Sequence, residues 1–318
     1  MSKAYNSTLQ EKVRDYMREA KVSQAKLSGM LDISSTMLSQ YLNSQYPGDI
    51  SATERKIEEF LHTQEARAEV LQQAAAYTVN TGYVPTTVSE DVYQSILFSQ
   101  LNRCMSVLHG DAGVGKTKGA IKFAKDHPNS AVYIKVSPTN SSITGVVTLL
   151  ARKLGISGVR GRRQLMDAVC TRVQGTNKVI IIDEAQFLNP TAIDALRSIS
   201  DGDETSENPG NGVCLIGNSR IQSKIKGSAD AGYAQIFTRI HLQREYRTTQ
   251  TTREDISSLF PQLAREGRDK ELDFLFSVSR SIHSTRDAVY IFDLAVKAQD
   301  ISFENLRRIA VHMGVGVI

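Results

Sequence analysis

The sequence predicts an α/β domain built around a parallel sheet, with regions that are entirely helical before and after it. Four short runs support this prediction, because each is apolar at consecutive positions and amphipathic helical patterns separate them. Strands that are buried on both faces, as in parallel sheets, have this composition. The runs are "MSVLHG" (105–110), "AVYIKV" (131–136), "KVIIID" (178–183) and "VCLIGN" (213–218).

Four segments are predicted along the chain. Residues 1–65 contain helical patterns only and form an N-terminal domain. Residues 66–90 are predicted to be a linker, because "TVNTGYVPTTVSE" (78–90) is polar and contains a glycine and a proline. All four apolar runs fall within 91–248, the predicted core domain. Residues 249–318 contain no strand run, so we expect a helical C-terminal domain there.

The composition is that of a globular protein, with 41% hydrophobic and 23% charged residues in 318. The net charge of +4 is only mildly basic, but residues 151–175 hold six arginines and lysines against one acid, Asp167. Purely apolar runs, such as "VIII" (179–182), are far too short to span a membrane. The three cysteines are not in a metal-ligand spacing. We therefore expect a soluble, cytoplasmic protein with reduced thiols and no membrane partner.

The stretch "HGDAGVGKTKGA" (109–120) fits the phosphate-binding pattern G-x-x-x-x-G-K-[ST]. Its glycines allow a tight turn in which backbone N–H groups converge on phosphate oxygens, and the following helix adds the positive end of its dipole. Lys116 is expected to neutralise phosphate charge, and the Thr117 hydroxyl to bind Mg²⁺. The residues predicted to bind the nucleotide are Gly110, Asp111, Ala112, Gly113, Val114, Gly115, Lys116, Thr117 and Lys118.

Polar residues end the third and fourth runs. Asp183 and Glu184 lie at the carboxyl end of a strand, where ligands bind in such sheets. Asp183 would hold Mg²⁺ through water, and Glu184 would polarise the attacking water. Asn218 could hold that water between Glu184 and the γ-phosphate. The alternatives are an acidic helix cap and an asparagine that merely ends a strand.

These three motifs, in this order, resemble the core of the AAA+ ATPases over about residues 91–300. The resemblance implies a five-stranded parallel sheet, a small helical lid, hydrolysis of ATP with Mg²⁺, and oligomers or filaments with ATP at subunit boundaries. Arg239 stands where the family places an arginine that reaches a neighbour's γ-phosphate, although a surface arginine beside a strand fits equally. Arg286 resembles the lid arginine that contacts ATP, because Ser284 and Asp287 predict a capping box that puts it in a first helical turn.

The stretch "SQAKLSGMLDISSTMLSQYL" (23–42) predicts two helices joined by a tight turn. It resembles the helix-turn-helix of small phage-type repressors, except that Asp32 occupies the turn position where that family usually has glycine. Aspartate tolerates the required backbone better than most residues, so we expect the turn to form. The resemblance implies DNA binding through the start of the second helix, although a helical interaction module would share the packing. The apolar seam is Leu27, Leu31, Ile33 and Leu38. The predicted DNA contacts are Ser35, Thr36, Ser39 and Gln40.

The glycine-flanked basic loop "GISGVRGRRQ" (155–164) is a second candidate DNA contact. Arg160, Arg162 and Arg163 suit contact with phosphates without base readout. A solvated connection between helices is the alternative, and one arginine could instead serve a neighbouring ATP site. If many subunits lie in a row, a few contacts from each would raise affinity by multivalency.

The order of a repressor-like module, an AAA+ core with "GDAGVGKT" and "IIIDEAQFL", and a helical C-terminal domain is similar to the Mu B family of DNA transposition proteins. The similarity spans essentially the whole chain. It implies an ATPase that binds duplex DNA largely without regard to sequence, forms homo-oligomers or helical filaments, and delivers target DNA to a cognate transposase while stimulating it. A phage- or transposon-encoded protein of this kind would act in the host bacterial cytoplasm.

Other functions remain open at this stage. A P-loop kinase is disfavoured, because a kinase does not need an acidic water activator beside the metal aspartate. An ATP-regulated helix-turn-helix transcription regulator would use ATP only as a ligand. A helicase loader or replication initiator would share the same core, and only its partners would separate it from a transposition factor.

Overall fold

The structure, a computed structural model, contains two compact units, Met1–Ala76 and Tyr77–Ile318. The predicted linker, 66–90, overlaps two helices, because the last helix of the first unit continues to Ala74 and the next begins at Thr87. The residues that the structure describes are 5–74 (backbone alone for 66–74), 82–201, 209–226 and 240–315.

The first unit contains four helices among its described residues. Side chains of Asn6, Ser23 and Ser34 cap the first three helices by accepting a bond from the third backbone N–H. Leu38, Tyr41 and Ile57 have no exposed surface, and they are among the buried side chains that form the core between these helices. The helices are α1 (Ser7–Glu19), α2 (Gln24–Met30), α3 (Ser35–Leu42) and α4 (Ile50–Ala74).

A short connection joins α2 to α3. Asp32 lies in it with φ of 52°, the left-handed conformation that the sequence required of this aspartate. The ammonium of Lys56 donates to the Asp32 carbonyl at 3.1 Å, which holds the turn against α4. The predicted seam is buried at three positions and half-buried at Ile33; the three are Leu27, Leu31 and Leu38.

The second unit is built on a five-stranded sheet with the order β2-β3-β4-β1-β5, and every neighbouring pair is parallel. The four predicted runs supply four of the strands. The fifth, "IHLQREY", is only partly buried because it lies at an edge and pairs only with β1. The strands are β1 (Met105–Gly110), β2 (Ala131–Lys135), β3 (Val179–Asp183), β4 (Gly212–Ile216) and β5 (Ile240–Tyr246).

Helices cover both faces of this sheet. On one face Ile180, Ile182 and Leu215 belong to one buried cluster, and on the other Ile181 and Ile216 belong to a second. Alternate strand residues therefore feed opposite cores, which is why the runs are apolar at consecutive positions. The helices are α5 (Thr87–Leu101), α6 (Lys116–Asp126), α7 (Ile143–Lys153), α8 (Arg162–Val173), α9 (Pro190–Asp201) and α10 (Ser219–Lys226).

After β5 a 3₁₀ turn, Thr248–Gln250, leads into the C-terminal helices. Their core includes Phe260 and Phe292, whose ring centroids lie 4.8 Å apart. None of the described helices in either unit is long and apolar enough to cross a membrane. The helices are α11 (Arg253–Leu259), α12 (Pro261–Arg265), α13 (Asp269–Arg280), α14 (Ser284–Lys297) and α15 (Phe303–His312).

Candidate nucleotide site

The predicted phosphate-binding loop connects β1 directly to α6. Gly110, Gly113 and Gly115 have φ values of 136°, 78° and 113°, which side chains other than hydrogen rarely allow. A Cβ on Gly110 would also lie only 1.9 Å from the carbonyl oxygen of Tyr246 on β5. The glycines are thus needed for the course of the loop itself.

Lys116, the first residue of α6, is 9% exposed. Its ammonium donates to the carbonyl oxygens of Gly110 at 3.0 Å and Asp111 at 2.5 Å, so it is folded back into the loop. Burial lowers the pKa of Lys116 to about 8, although the carboxylates of Asp111 and Asp183 oppose this shift. A bound anion would favour the charged form of this ammonium.

Asp183 is 2% exposed and ends β3 beside the start of α6. Its Oδ2 accepts hydrogen bonds from the Thr117 hydroxyl at 2.9 Å and from the Tyr133 hydroxyl at 2.8 Å. Its Oδ1 accepts from the backbone N–H of Glu184 at 2.9 Å. Burial, followed by the nearby Asp183 charge, raises the pKa of the Tyr133 phenol. The structure therefore brings the Thr117 hydroxyl and the Asp183 carboxylate together at the carboxyl end of β3.

Glu184 follows in the left-handed conformation, with φ of 59° and ψ of 36°, and opens the 3₁₀ turn Ala185–Phe187. Its Oε2 accepts from Nε2 of Gln186 at 2.5 Å, and its Oε1 lies 3.8 Å from Nζ of Lys135. Oε1 of Gln186 accepts from the backbone N–H of Asn218 at 3.2 Å. The predicted water-handling residues, Glu184 and Asn218, are thus linked by a side chain.

The C-terminal helices reach the loop at α14. A Cβ on Gly113 would lie 2.0 Å from Oγ of Ser284 and 2.9 Å from Cβ of Arg286. Arg286 is in the first turn of α14, but the predicted capping box is absent. Ser284 is inside the helix with φ of 65° and makes no cap, and Asp287 instead pairs with Nδ1 of His283 at 3.2 Å. Ser284 instead lies against the loop at Gly113.

Other predicted loop residues have structural roles or are exposed. The carboxylate of Asp111 accepts from the backbone N–H of Thr248 at 2.8 Å, and so fixes the loop to the turn after β5. Val114 is buried in the core under the loop, whereas Ala112 and Lys118 are exposed. Arg239 lies outside the described residues.

The candidate DNA-binding residues are on other surfaces. Arg160, Arg162 and Arg163 are exposed at the start of α8. Ser35 and Thr36 are exposed at the start of α3, in the first unit, and Ser39 and Gln40 are half-buried one turn later.

Sequence reasoning missed three side chains around the carboxylates, namely Tyr133, Lys135 and Gln186. Tyr133 and Lys135 come from β2, which the chain reaches about 50 residues before the carboxylates, so nothing in the motif pointed to them. Gln186 belongs to the motif "DEAQ" itself, and its position two residues after Glu184 could have indicated that the two side chains lie close together.

Comparisons with known proteins cover this part of the chain. A family model described as an AAA domain matches residues 100–225, which contain the loop, the two acidic residues and Asn218. The Mu-like prophage FluMu DNA transposition protein B of Haemophilus influenzae is 30% identical over 236 residues, covering 73% of this chain and 78% of that protein. The chain belongs to the Mu B family. The ATP-dependent target DNA activator B of Escherichia phage Mu is 26% identical over 250 residues, 78% of this chain and 75% of that one.

Solved structures give the fold of this Mu B family member. Cdc6p from Pyrobaculum aerophilum superposes with a TM-score of 0.57 at 16% identity, covering 76% of this chain and 71% of that one. The ORC2 protein of Aeropyrum pernix gives 0.52 at 14%, covering 73% and 70%. At these identities the likeness concerns the fold alone. The predicted AAA+ fold and the predicted ATPase class are confirmed.

Proposed function

We propose that this chain is an ATP-dependent target DNA activator, which assembles on duplex DNA and presents that DNA to a cognate transposase. The observation that carries the proposal is the meeting of the Lys116 loop with Thr117, Asp183 and Glu184 in a chain of the Mu B family. The names of the relatives supply the transposition context.

Nucleotide binding is assigned to the loop between β1 and α6. The Lys116 ammonium would exchange its loop carbonyl partners for phosphate oxygens, and the backbone N–H groups at the start of α6 would donate to the same phosphates. A hydroxyl and a carboxylate are the oxygen ligands that Mg²⁺ takes, so Thr117 and Asp183 fit this ion. Among the described residues no group of three or more His, Cys, Asp or Glu could hold a metal ion. When bound, Mg²⁺ would neutralise phosphate charge.

Hydrolysis is assigned to groups at the carboxyl ends of β3 and β4. The Glu184 carboxylate would orient a water and accept its proton, and Asn218 would hold that water by a hydrogen bond. The side-chain oxygen of Asn218 also accepts a hydrogen bond from the backbone N–H of Arg220, in the first turn of α10, at 3.0 Å. Asn218 would therefore both hold the water and bind the start of α10. Arg286 would contact the phosphates from α14. Arg239 is proposed to reach the site of a neighbouring subunit in an oligomer or helical filament.

The start of α8 is the first proposed DNA contact. Its N-cap is Gly161, which makes no side-chain cap, and Arg162 and Arg163 occupy the first two helical positions without any acid in that turn. Cations there oppose the helix dipole, so the first turn of α8 gains stability when an anion binds. Arg160, Arg162 and Arg163 form no ion pair within the described part of the chain. We assign them to contacts with DNA phosphates that do not read sequence.

The first unit is the second proposed DNA contact. Ser35 and Thr36 are exposed in the first turn of α3, next to Ser39 and Gln40. Short polar groups at this position of a second helix can reach base edges or phosphates. The surface has few arginines and lysines, so we expect this unit to bind weakly by itself, and multivalency in a filament to supply most of the affinity.

Two alternatives keep a specific basis. A helicase loader or initiator would share the AAA core, and the helical first unit leaves an ATP-regulated transcription regulator. Family membership favours transposition over both. The site of action that follows from the relatives' phage and prophage origin is the bacterial cytoplasm.

The testing experiment measures three properties of the purified chain with Mg²⁺ and plasmid DNA. Phosphate release without an added acceptor tests hydrolysis, and electron microscopy with and without ATP tests assembly on DNA. Strand transfer by the cognate transposase, with and without the chain, tests activation. We expect all three to require ATP, with Lys116→Ala as the inactive control. DNA binding that is equal with and without nucleotide would refute the proposal.

A further inference from the structure

The Glu184 carboxylate is held at both oxygens, but the two partners differ in strength. The Lys135 ammonium is 3.8 Å from Oε1, and its side chain is 60% exposed, so water screens this ion pair strongly. Gln186 is 8% exposed and donates to Oε2 at 2.5 Å. A short hydrogen bond from a buried amide to a charged group is the stronger restraint. The position of the Glu184 carboxylate therefore depends mainly on Gln186.

The chemistry of its partners fixes the orientation of the Gln186 amide. An ionised carboxylate can only accept, so the amide NH₂ must face Glu184. A backbone N–H can only donate, so the amide oxygen must face Asn218, which it meets at 3.2 Å. One planar group thus bridges the end of β3 and the end of β4, and a flip of the amide would break both bonds.

Further contacts surround the bridge. Gly217 leaves room for it, because a Cβ there would lie 2.6 Å from Oε1 of Gln186. Nζ of Lys224, on α10, donates to the carbonyl oxygens of Gln186 at 2.5 Å and Leu188 at 2.9 Å. Since α10 begins directly after Asn218, the segment after β3 and the segment after β4 are joined at side chain and backbone.

We propose that Gln186 is a positioning residue for hydrolysis, which holds the Glu184 carboxylate in a fixed relation to the end of β4. This inference rests on the proposed ATPase reaction and adds a residue to it. Gln186 donates to Glu184 and accepts from the Asn218 backbone, so the two groups assigned to the attacking water keep one geometry. Lys116 and Thr117, which are assigned to the nucleotide, have no hydrogen bond to Gln186 among the described contacts. Loss of the bridge should therefore lower turnover and leave nucleotide affinity unchanged.

Two substitutions of Gln186 test this inference. Gln186→Met has a similar length but can form neither bond. Gln186→Glu keeps an oxygen for the Asn218 N–H but puts a second carboxylate against Glu184. Measured by phosphate release at saturating ATP, kcat should fall at least about tenfold in both variants. The dissociation constant of a fluorescent ATP analogue, measured with Mg²⁺, should stay within about twofold of the parent value.

A matched control is available in Gln100, a 6% exposed glutamine on α5 whose amide donates to the carbonyl of Asn177 at 2.7 Å. Gln100→Met removes a buried amide away from the site, and we expect its kcat to match the parent's. Gly217→Ala tests the bridge from the other side, because the added methyl crowds Oε1 of Gln186. It should also lower kcat, and Gln186→Ala combined with Gly217→Ala should cost less than the product of the two single effects.

The results separate this inference from the proposed function. A parent chain that hydrolyses ATP together with a Gln186→Met variant of unchanged kcat would overturn the bridge alone. A Gln186→Met variant in which kcat, nucleotide affinity and thermal stability all fall together would also overturn the inference, since the residue would then be merely structural. A parent chain that releases no phosphate would overturn the proposed ATPase reaction and, with it, this inference.

Discussion

The Thr117 hydroxyl donates a hydrogen bond of 2.9 Å to Oδ2 of Asp183, although 66 residues separate the two in sequence. Thr117 belongs to the first turn of α6, and Asp183 is the last residue of β3. Tyr133, from the edge strand β2, donates to the same oxygen. A metal ion or its bound water that approaches Oδ2 has to displace one of these hydroxyls, which would couple nucleotide binding to rearrangement of this pair.

Glu184→Gln should separate binding from turnover. The amide cannot take a proton from water, so we expect phosphate release to fall about 100-fold or more, with ATP affinity near the parent value. Complexes with DNA that form in ATP should then persist, which electron microscopy after dilution into ATP-free buffer would detect. Asp194→Asn, an exposed change on α9, is the control. Normal turnover in Glu184→Gln would show that another group activates the water.

The pH dependence of nucleotide binding should follow Lys116. Burial lowers its pKa to about 8 in the free chain, and phosphate favours the ammonium form. Above pH 8 binding must therefore take up a proton, and the ATP association constant should fall by up to about tenfold per pH unit. Calorimetry in buffers of different ionisation enthalpy measures this uptake. Lys125→Met, an exposed change on the same helix, should keep the pH dependence.

The lowered pKa of Lys116 also affects the stability of the nucleotide-free chain. A rise in pH should weaken ATP binding but increase the free energy of unfolding. An unfolded lysine keeps its proton up to about pH 10.4, so between pH 8 and that value the unfolded chain binds more protons than the folded one. The free energy of unfolding should rise with pH across this window by up to roughly 3 kcal/mol relative to Lys116→Met. Denaturant unfolding at pH 7.5 and pH 9.5 measures the difference, and parallel curves for the two proteins would contradict it.

Gly113→Ala should be far more damaging than its backbone conformation alone predicts. Gly113 and Gly155 have similar φ values, 78° and 70°, but a Cβ on Gly155 meets nothing within 4 Å. Gly155→Ala should therefore cost only the left-handed strain, about 1–2 kcal/mol. Gly113→Ala adds the collision with Ser284 and Arg286, so ATP affinity should also fall at least about tenfold. Nucleotide titration and thermal unfolding of both variants test this, and equal behaviour would refute it.

The basic loop should contribute to DNA binding without sequence preference. Replacing Arg160, Arg162 and Arg163 together by Ala should weaken ATP-dependent binding about equally on unrelated duplexes and reduce the salt slope by about 3. The charge-matched control replaces three exposed cations elsewhere in the second unit, namely Lys125, Arg265 and Lys270. DNA affinities of the parent, the triple variant and the control, measured between 50 and about 300 mM salt, test the contribution of the loop. A triple variant that follows the parent at every salt concentration excludes the loop.

Local patterns predicted the sheet and the phosphate loop well, because their signals lie in consecutive residues. Val179 to Ile182 are buried throughout, as a parallel strand requires, and Lys116 and Thr117 begin a helix where the motif placed them. Tyr133 and Gln186 were missed because their roles depend on strand order, which brings β2, β3 and β4 side by side. Ser284 was misread as a cap because its contact with Gly113 spans most of the second unit.

The turn after β5 has a mechanical consequence. The backbone N–H of Thr248 donates to Asp111 in the phosphate loop, and its hydroxyl donates to the carbonyl of Arg280, at the end of α13, at 3.0 Å. Thr248 is thus hydrogen-bonded both to the phosphate-binding loop and to the C-terminal helices. If the C-terminal helices move, the displacement would reach the loop through Thr248 as well as through Ser284 and Arg286, so the rate at which spent nucleotide leaves should depend on Thr248 as well as on the pocket itself.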